Sequence, residues 1–126
     1  MNNVKNIWII ANWKSNKTIS EAIDWTLKVG PEIPKREGLK VVVCPTFVCL
    51  EEVKKSILVG GYPLIVGSQD LSPFDDGQYT GEETARILKD IVDLSILGHS
   101  ERRKSFGETD EMVADNHGYK HMGSIV

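Results

Sequence analysis

Cysteine is scarce in this sequence: Cys44 and Cys49 are the only two. They are too few for a disulfide framework and fit no zinc-ligand spacing, so they are expected as small buried hydrophobes in a reduced, cytoplasmic setting. Positive charge is not in excess either. The net charge is −3 and the lysines and arginines are scattered along the chain, which argues against the concentrated basic face that nucleic acid requires. Long hydrophobic runs are missing. The apolar run 7–11 is too short for a secretory core and gives way to Asn12 and Lys14, and no stretch approaches the roughly 20 apolar residues of a membrane helix. Neither G-x-G-x-x-G nor G-x-x-x-x-G-K-[ST] occurs, so nucleotide binding of the usual kinds loses its main support. There is no linker, low-complexity stretch or residue-level repeat, and the 126 residues read as one domain.

What is present is a ladder. Four short apolar, β-branched runs stand at 7–11, 41–44, 64–66 and 94–97. They are nearly continuous rather than alternating, as in strands buried on both faces of a parallel sheet. Amphipathic stretches lie between them. Ile19, Ala22, Ile23 and Leu27 recur at helical spacing behind a Thr18/Glu21 capping box, and Gly30-Pro31 ends the pattern. Val48, Val53 and Ile57 mark a second helix, with Glu51 and Glu52 early and Lys54 and Lys55 later, in the sense the helix dipole favours. Thr80 with Glu83 would cap a third helix carrying Ala85, Ile87, Leu88 and Ile91, and a fourth begins after Thr109 with Met112 and Val113. The order βαβαβαβα implies right-handed crossovers and a parallel sheet. Segment 69–79, with Pro73, Asp75, Asp76 and Gly77, reads as a long shaped loop. From about residue 115 the pattern is atypical, although Gly123, Ile125 and Val126 suit the start of a fifth strand.

In parallel α/β folds the reactive groups sit where strands end. The first run ends in Ala11-Asn12-Trp13-Lys14 and the fourth in Gly98-His99-Ser100-Glu101-Arg102-Arg103. A lysine and a histidine at one mouth would suit a polar, anionic, carbonyl-bearing ligand. The lysine supplies a compact charge, and the histidine a donor for a developing oxyanion. Asn12 would fix a hydroxyl or orient Lys14. Trp8, Trp13, Trp25 and Phe47 read as packing residues. His117 and His121 are four apart, but no Glu follows His117, so they read as surface residues and no metal is expected.

These motifs together resemble the triosephosphate isomerase family. Ile10-Ala11-Asn12-Trp13-Lys14 is similar to its first-strand motif. Gly67-Ser68-Gln69-Asp70-Leu71-Ser72 through Gly77-Gln78-Tyr79-Thr80-Gly81-Glu82 is similar to its long third loop. Ile96-Leu97-Gly98-His99-Ser100-Glu101-Arg102-Arg103 resembles its fourth-strand signature, and Phe106-Gly107-Glu108-Thr109-Asp110 the stretch that follows. The resemblance runs from about Ile7 to about Ala114.

The resemblance implies half of a (β/α)8 barrel and an aldose–ketose isomerase of glycolysis and gluconeogenesis. Such an enzyme interconverts glyceraldehyde 3-phosphate and dihydroxyacetone phosphate through an enediol(ate), without metal or cofactor. Asn12 and Lys14 would hold the phosphorylated triose. His99 would be the neutral electrophile, kept so by the N-terminus of a short helix at 100–103, an effect for which this family is itself the stock illustration. Ser100, Glu101 and Arg102 would support it, the last two in an ion-pairing role. Gln69, Thr80 and Glu82 would shape a subunit interface, with Thr80 supporting the partner's Asn and Lys. A complete barrel of this type needs about 250 residues. No residue here corresponds to the family's catalytic Glu, so the chain by itself is expected to be inactive. Open edges at strands 1 and 4 imply a homo-oligomer or a complementary C-terminal half. The alternatives are a non-catalytic half-barrel that associates, or a phosphate-binding module that keeps Lys14 and His99 for affinity alone.

Overall fold

The computed structural model describes residues 5–115 and 123–125. They fall into two compact units, 1–67 and 68–126. The α/β class expected from the sequence, a parallel βα repeat, is what the units contain.

In the first unit, β1 (Ile7–Asn12) is followed by α1 (Ile19–Val29), β2 (Leu39–Cys44), α2 (Leu50–Gly60) and β3 (Ile65–Ser68), whose last residue begins the second unit. β1 pairs with β2 in parallel from Ile7 opposite Leu39 to Asn12 opposite Cys44, and Val42 and Val43 of β2 lie opposite Ile65 and Val66. The capping box is formed as expected: Thr18 accepts the Glu21 N–H, and the Glu21 carboxylate accepts the Thr18 N–H. α1 buries Ala22 and Thr26, the latter satisfied by a 2.8 Å bond from its hydroxyl to the Ala22 carbonyl. α2 turns Leu50, Val53 and Ile57 inward, at the spacing of one helical face. It stops at Gly61, whose left-handed φ of +65° lets its N–H and that of Tyr62 reach the last carbonyls. Val41, Val42, Val43 and Cys44 of β2 are buried, each aliphatic contributing about 1.5–3 kcal/mol of burial. Cys49 is buried as well, neither of these two cysteines forms a disulfide, and burial pushes the Cys44 thiol up to about 12.

Several details differ from the sequence reading. β1 is not buried: Ile7, Trp8, Ile9 and Ile10 are all exposed, Ile9 at 53 %. Its backbone has β2 on one side, and its two faces carry apolar residues that stay partly exposed. Val48 belongs to the 3-10 turn Phe47–Cys49 ahead of α2 and is exposed, as is Phe47. Lys54 and Lys55 do follow the acidic pair within α2, and Lys55 pairs with Glu51 and Glu52. Of the aromatics expected to pack, Trp13 and Trp25 do, edge to face at 5.1 Å, whereas Trp8 is about half exposed.

The second unit opens on the long loop, then α3 (Ala85–Leu88), β4 (Leu94–Ile96), α4 (Ser100–Phe106), α5 (Asp110–Ala114) and β5 (Gly123–Ile125). The loop is shaped, as expected. The Ser72 N–H donates to the Glu83 carbonyl, Phe74 and Tyr79 stack at 4.2 Å, and Asp76 accepts from Thr84 and Arg86. Its exit corrects the expected cap. Thr84, not Thr80, caps α3 by accepting the Ile87 N–H, and α3 is a single turn with Ile87 exposed. Thr109 caps α5 as expected. β4 is buried, and Ser95 within it shares a 2.5 Å hydroxyl contact with Ser68. β5 pairs with β4 in parallel, Leu94 opposite Gly123, so the edge expected to be open at strand 4 is occupied. His117 and His121 lie outside the described residues.

Candidate functional site

Asn12 and Lys14 belong to the first unit. Asn12 closes β1, and its Oδ1 accepts the Lys14 N–H at 2.9 Å, while the Trp13 N–H between them donates to the Cys44 carbonyl at 3.1 Å. Trp13 is turned into the core against Trp25. The consequence is a left-handed backbone at Lys14, with φ of +57°. A non-glycine residue there costs of order 1 kcal/mol or more, and such strain concentrates at functional positions. Asn12 thus holds the backbone of Lys14, and the Lys14 side chain stands exposed.

His99 belongs to the second unit and sits just past β4 as the N-cap of α4. Its Nδ1 accepts the Glu101 N–H at 3.1 Å. In that arrangement the proton of the neutral ring sits on Nε2, which becomes the ring's outward donor. The Glu101 carboxylate is 3.9 Å from the same Nδ1, beyond hydrogen-bond reach. Ser100, expected as a supporting residue, opens α4 and is exposed.

Arg102 is an ion-pairing residue, with partners the sequence did not point to. Its Nε lies 3.2 Å from Glu108 and 3.4 Å from Asp70, and its guanidinium covers the Phe106 ring at 4.6 Å. Both carboxylates are largely buried. Desolvation raises the Asp70 carboxyl above its ordinary range, against the lowering influence of the Leu71 N–H and Arg102. Glu82 joins this acidic surround, in a shallow hollow also lined by Phe74 and Met112. With three carboxylates about one guanidinium, the hollow disfavours an anionic ligand; Arg102 here is a structural tie. Gln69 is half-buried, and Thr80 and Glu82 are exposed, open to an interface role.

Sequence reasoning missed Arg103. Its Nε donates to the Gly98 carbonyl at 2.9 Å and its Nη1 pairs with Asp110. The doubled arginine after a Gly-His pair was the available signal. Among the described residues no cluster of His, Cys, Asp or Glu is arranged to hold a metal, and no helix is long and apolar enough to cross a membrane.

The family model described as triosephosphate isomerase matches residues 7–121. Among curated relatives, the triosephosphate isomerase of Alkaliphilus oremlandii is 47 % identical over 106 residues, covering 83 % of this chain and 42 % of that protein. That of Clostridium beijerinckii is 45 % identical over the same shares. That of Clostridium perfringens is 45 % identical over 104 residues, 82 % of this chain and 41 % of its own. The chain spans about two fifths of the length of the curated relatives it matches.

Proposed function

The chain belongs to the triosephosphate isomerase family, and we propose that it carries the substrate-holding and electrophilic part of that isomerase. The substrates are glyceraldehyde 3-phosphate and dihydroxyacetone phosphate, in the cytoplasmic reactions of glycolysis and gluconeogenesis. Lys14, held in its left-handed turn by Asn12, supplies the positive charge for the triose phosphate. His99 donates from Nε2 to the carbonyl oxygen and moves a proton between the two oxygens of the enediol(ate). The observation that carries the reading is the bond from the Glu101 N–H to His99 Nδ1, because it leaves Nε2 as the donor that a developing oxyanion needs. The loop around Thr80 serves a homodimer contact.

Abstraction of the proton next to the carbonyl requires a base. Glu101 stands beside His99 on the same short helix, where its backbone already serves the ring, and the family's own Glu has no counterpart among these residues. The 126-residue chain by itself is therefore inactive, and its activity appears with the complementary segment of a relative. The test is a coupled assay of triose phosphate interconversion. It is run on the chain alone and on the chain mixed with the remaining three fifths of the Alkaliphilus relative, with His99→Gln in parallel. The expected result is turnover only in the mixture, lowered about 100- to 1,000-fold by H99Q, the scale of one lost oxyanion donor. Turnover by the chain alone that H99Q abolishes would overturn the inactivity. A mixture that neither turns over nor binds dihydroxyacetone phosphate would overturn the reading itself.

A further inference from the structure

We propose that Arg103 is a positioning residue for His99, setting the ring's orientation by holding the peptide groups on both sides of it. The inference rests on the reading of His99 as the electrophile. Residue 99 joins a strand to a helix within one step. Gly98 has φ of +62°, His99 is extended at φ −56° and ψ 143°, and α4 begins at Ser100. The two backbone dihedral angles at His99 set the direction from which its side chain leaves the chain, and so bear on whether Nδ1 can meet the Glu101 N–H.

Arg103 bonds the carbonyl before and the carbonyl after those two angles. Its Nε donates to the Gly98 oxygen at 2.9 Å, and its backbone N–H donates to the His99 oxygen at 3.2 Å. The second bond is an ordinary helical one that any residue would make. The first uses the fixed in-plane N–H of Nε, inside the side chain and backed by the rest of the guanidinium, a donor arginine has and lysine lacks. The fit extends to Gly98 itself, since a Cβ there would stand 2.8 Å from Arg103 Nη2 and 2.9 Å from Val113 Cγ2. The space left by the missing side chain is where the guanidinium lies.

A purely structural role predicts something different. If Arg103 only tied α4 to α5 through Asp110, a lysine would serve nearly as well and removing the Asp110 charge would mimic its loss. The Asp110 side chain is 95 % exposed, and pairs of that kind contribute little.

The experiment reads the ring directly, with no turnover involved. The full chain is labelled with 15N, the His99 ring nitrogens are assigned against His99→Gln, and the exchange rate of the Glu101 amide is followed. The wild type should show one tautomer, with Nδ1 bare and Nε2 protonated. Arg103→Lys and Arg103→Gln should mix the tautomers and speed Glu101 exchange by about tenfold, as for a lost local bond. Asp110→Asn should leave both as in the wild type. Unchanged tautomer and exchange in the lysine and glutamine variants would overturn the proposal, and so would a lysine variant like the wild type beside an Asp110→Asn that shifts both. Should the glutamine variant fail to fold, the lysine and Asp110→Asn chains decide alone. Failure of the isomerase reading looks different: it leaves the Arg103 dependence of the tautomer in place while triose phosphate fails to bind.

Discussion

Asp70 and Arg102 are paired at 3.4 Å, yet the Asp70 carboxyl is raised, not lowered, because burial outweighs the neighbouring cation. Glu108 shares the same guanidinium, and Glu82 adds a further like charge. A carboxyl whose folded value lies above its ordinary 3.8 binds its proton more tightly in the folded state. Its contribution to stability is therefore fully present below that value and is lost as pH rises through the raised one. Asp70→Asn should thus gain on the wild type as pH climbs through that window and hold the gain above it. Thermal unfolding of both chains at a series of pH values checks this. A gap that shrinks as pH rises would reverse the sign and assign the pair a net stabilising role.

Thr84 and Thr80 make opposite predictions. Thr84→Ala removes the hydroxyl that accepts the Ile87 N–H and should cost about 0.5–2 kcal/mol, the usual worth of an N-cap. Thr80→Ala should leave the stability of the single chain within about 0.5 kcal/mol, as for an exposed residue that caps no helix. Denaturant midpoints of the two variants settle which threonine is the cap.

That contrast shows where the sequence was legible. The pattern Thr80-x-x-Glu83 has the form of a capping box, as Thr18-x-x-Glu21 does, and the latter forms as read. At Thr80 the following residues serve loop closure instead, because the Glu83 carbonyl accepts from Ser72, eleven residues earlier, and Gly81 takes a φ of +88°. Local chemistry is written in neighbouring residues; competition from a distant backbone group is not. The same limit hid the partners of Arg102, since no periodicity links Asp70 to it across two intervening elements. The alternation of strands and helices, the burial of β2 and β4 and the caps at Thr18 and Thr109 followed from pattern alone. So did the placing of Asn12, Lys14 and His99 at strand ends, because hydrophobic period and strand ends are local signals.

Gly98→Ala meets two obstacles, a left-handed backbone and a Cβ within 3 Å of Arg103 and Val113. The backbone part alone is worth about 1–3 kcal/mol, so unfolding should come several degrees lower. In an Arg103→Ala background the same change should cost less, because one of the two clashes is gone while the φ remains. A double-mutant cycle measures that difference. Additive costs would show that Arg103 yields freely and does not contact the turn closely in solution.

β1 leaves apolar side chains exposed on both of its faces. Ile7 and Ile9 lie on one face and Trp8 and Ile10 on the other, since side chains alternate along a strand. All four are exposed, Trp8 at 52 %. An apolar strand of this kind, with β2 on one side, is a template for a further chain. Its drive to associate is about 25 cal/mol for each Å² of apolar surface covered. Sedimentation should therefore show mass rising with concentration, with Trp8 fluorescence shifting to the blue as the strand is covered. Ile9→Lys should suppress both effects while lowering the unfolding midpoint only modestly, because Ile9 is already 53 % exposed in the single chain. Suppression in a chain that still unfolds cooperatively assigns association to β1. A wild-type chain that stays monomeric at high concentration would show that these apolar faces are tolerated in water, and the case for a covering partner at β1 would go with it.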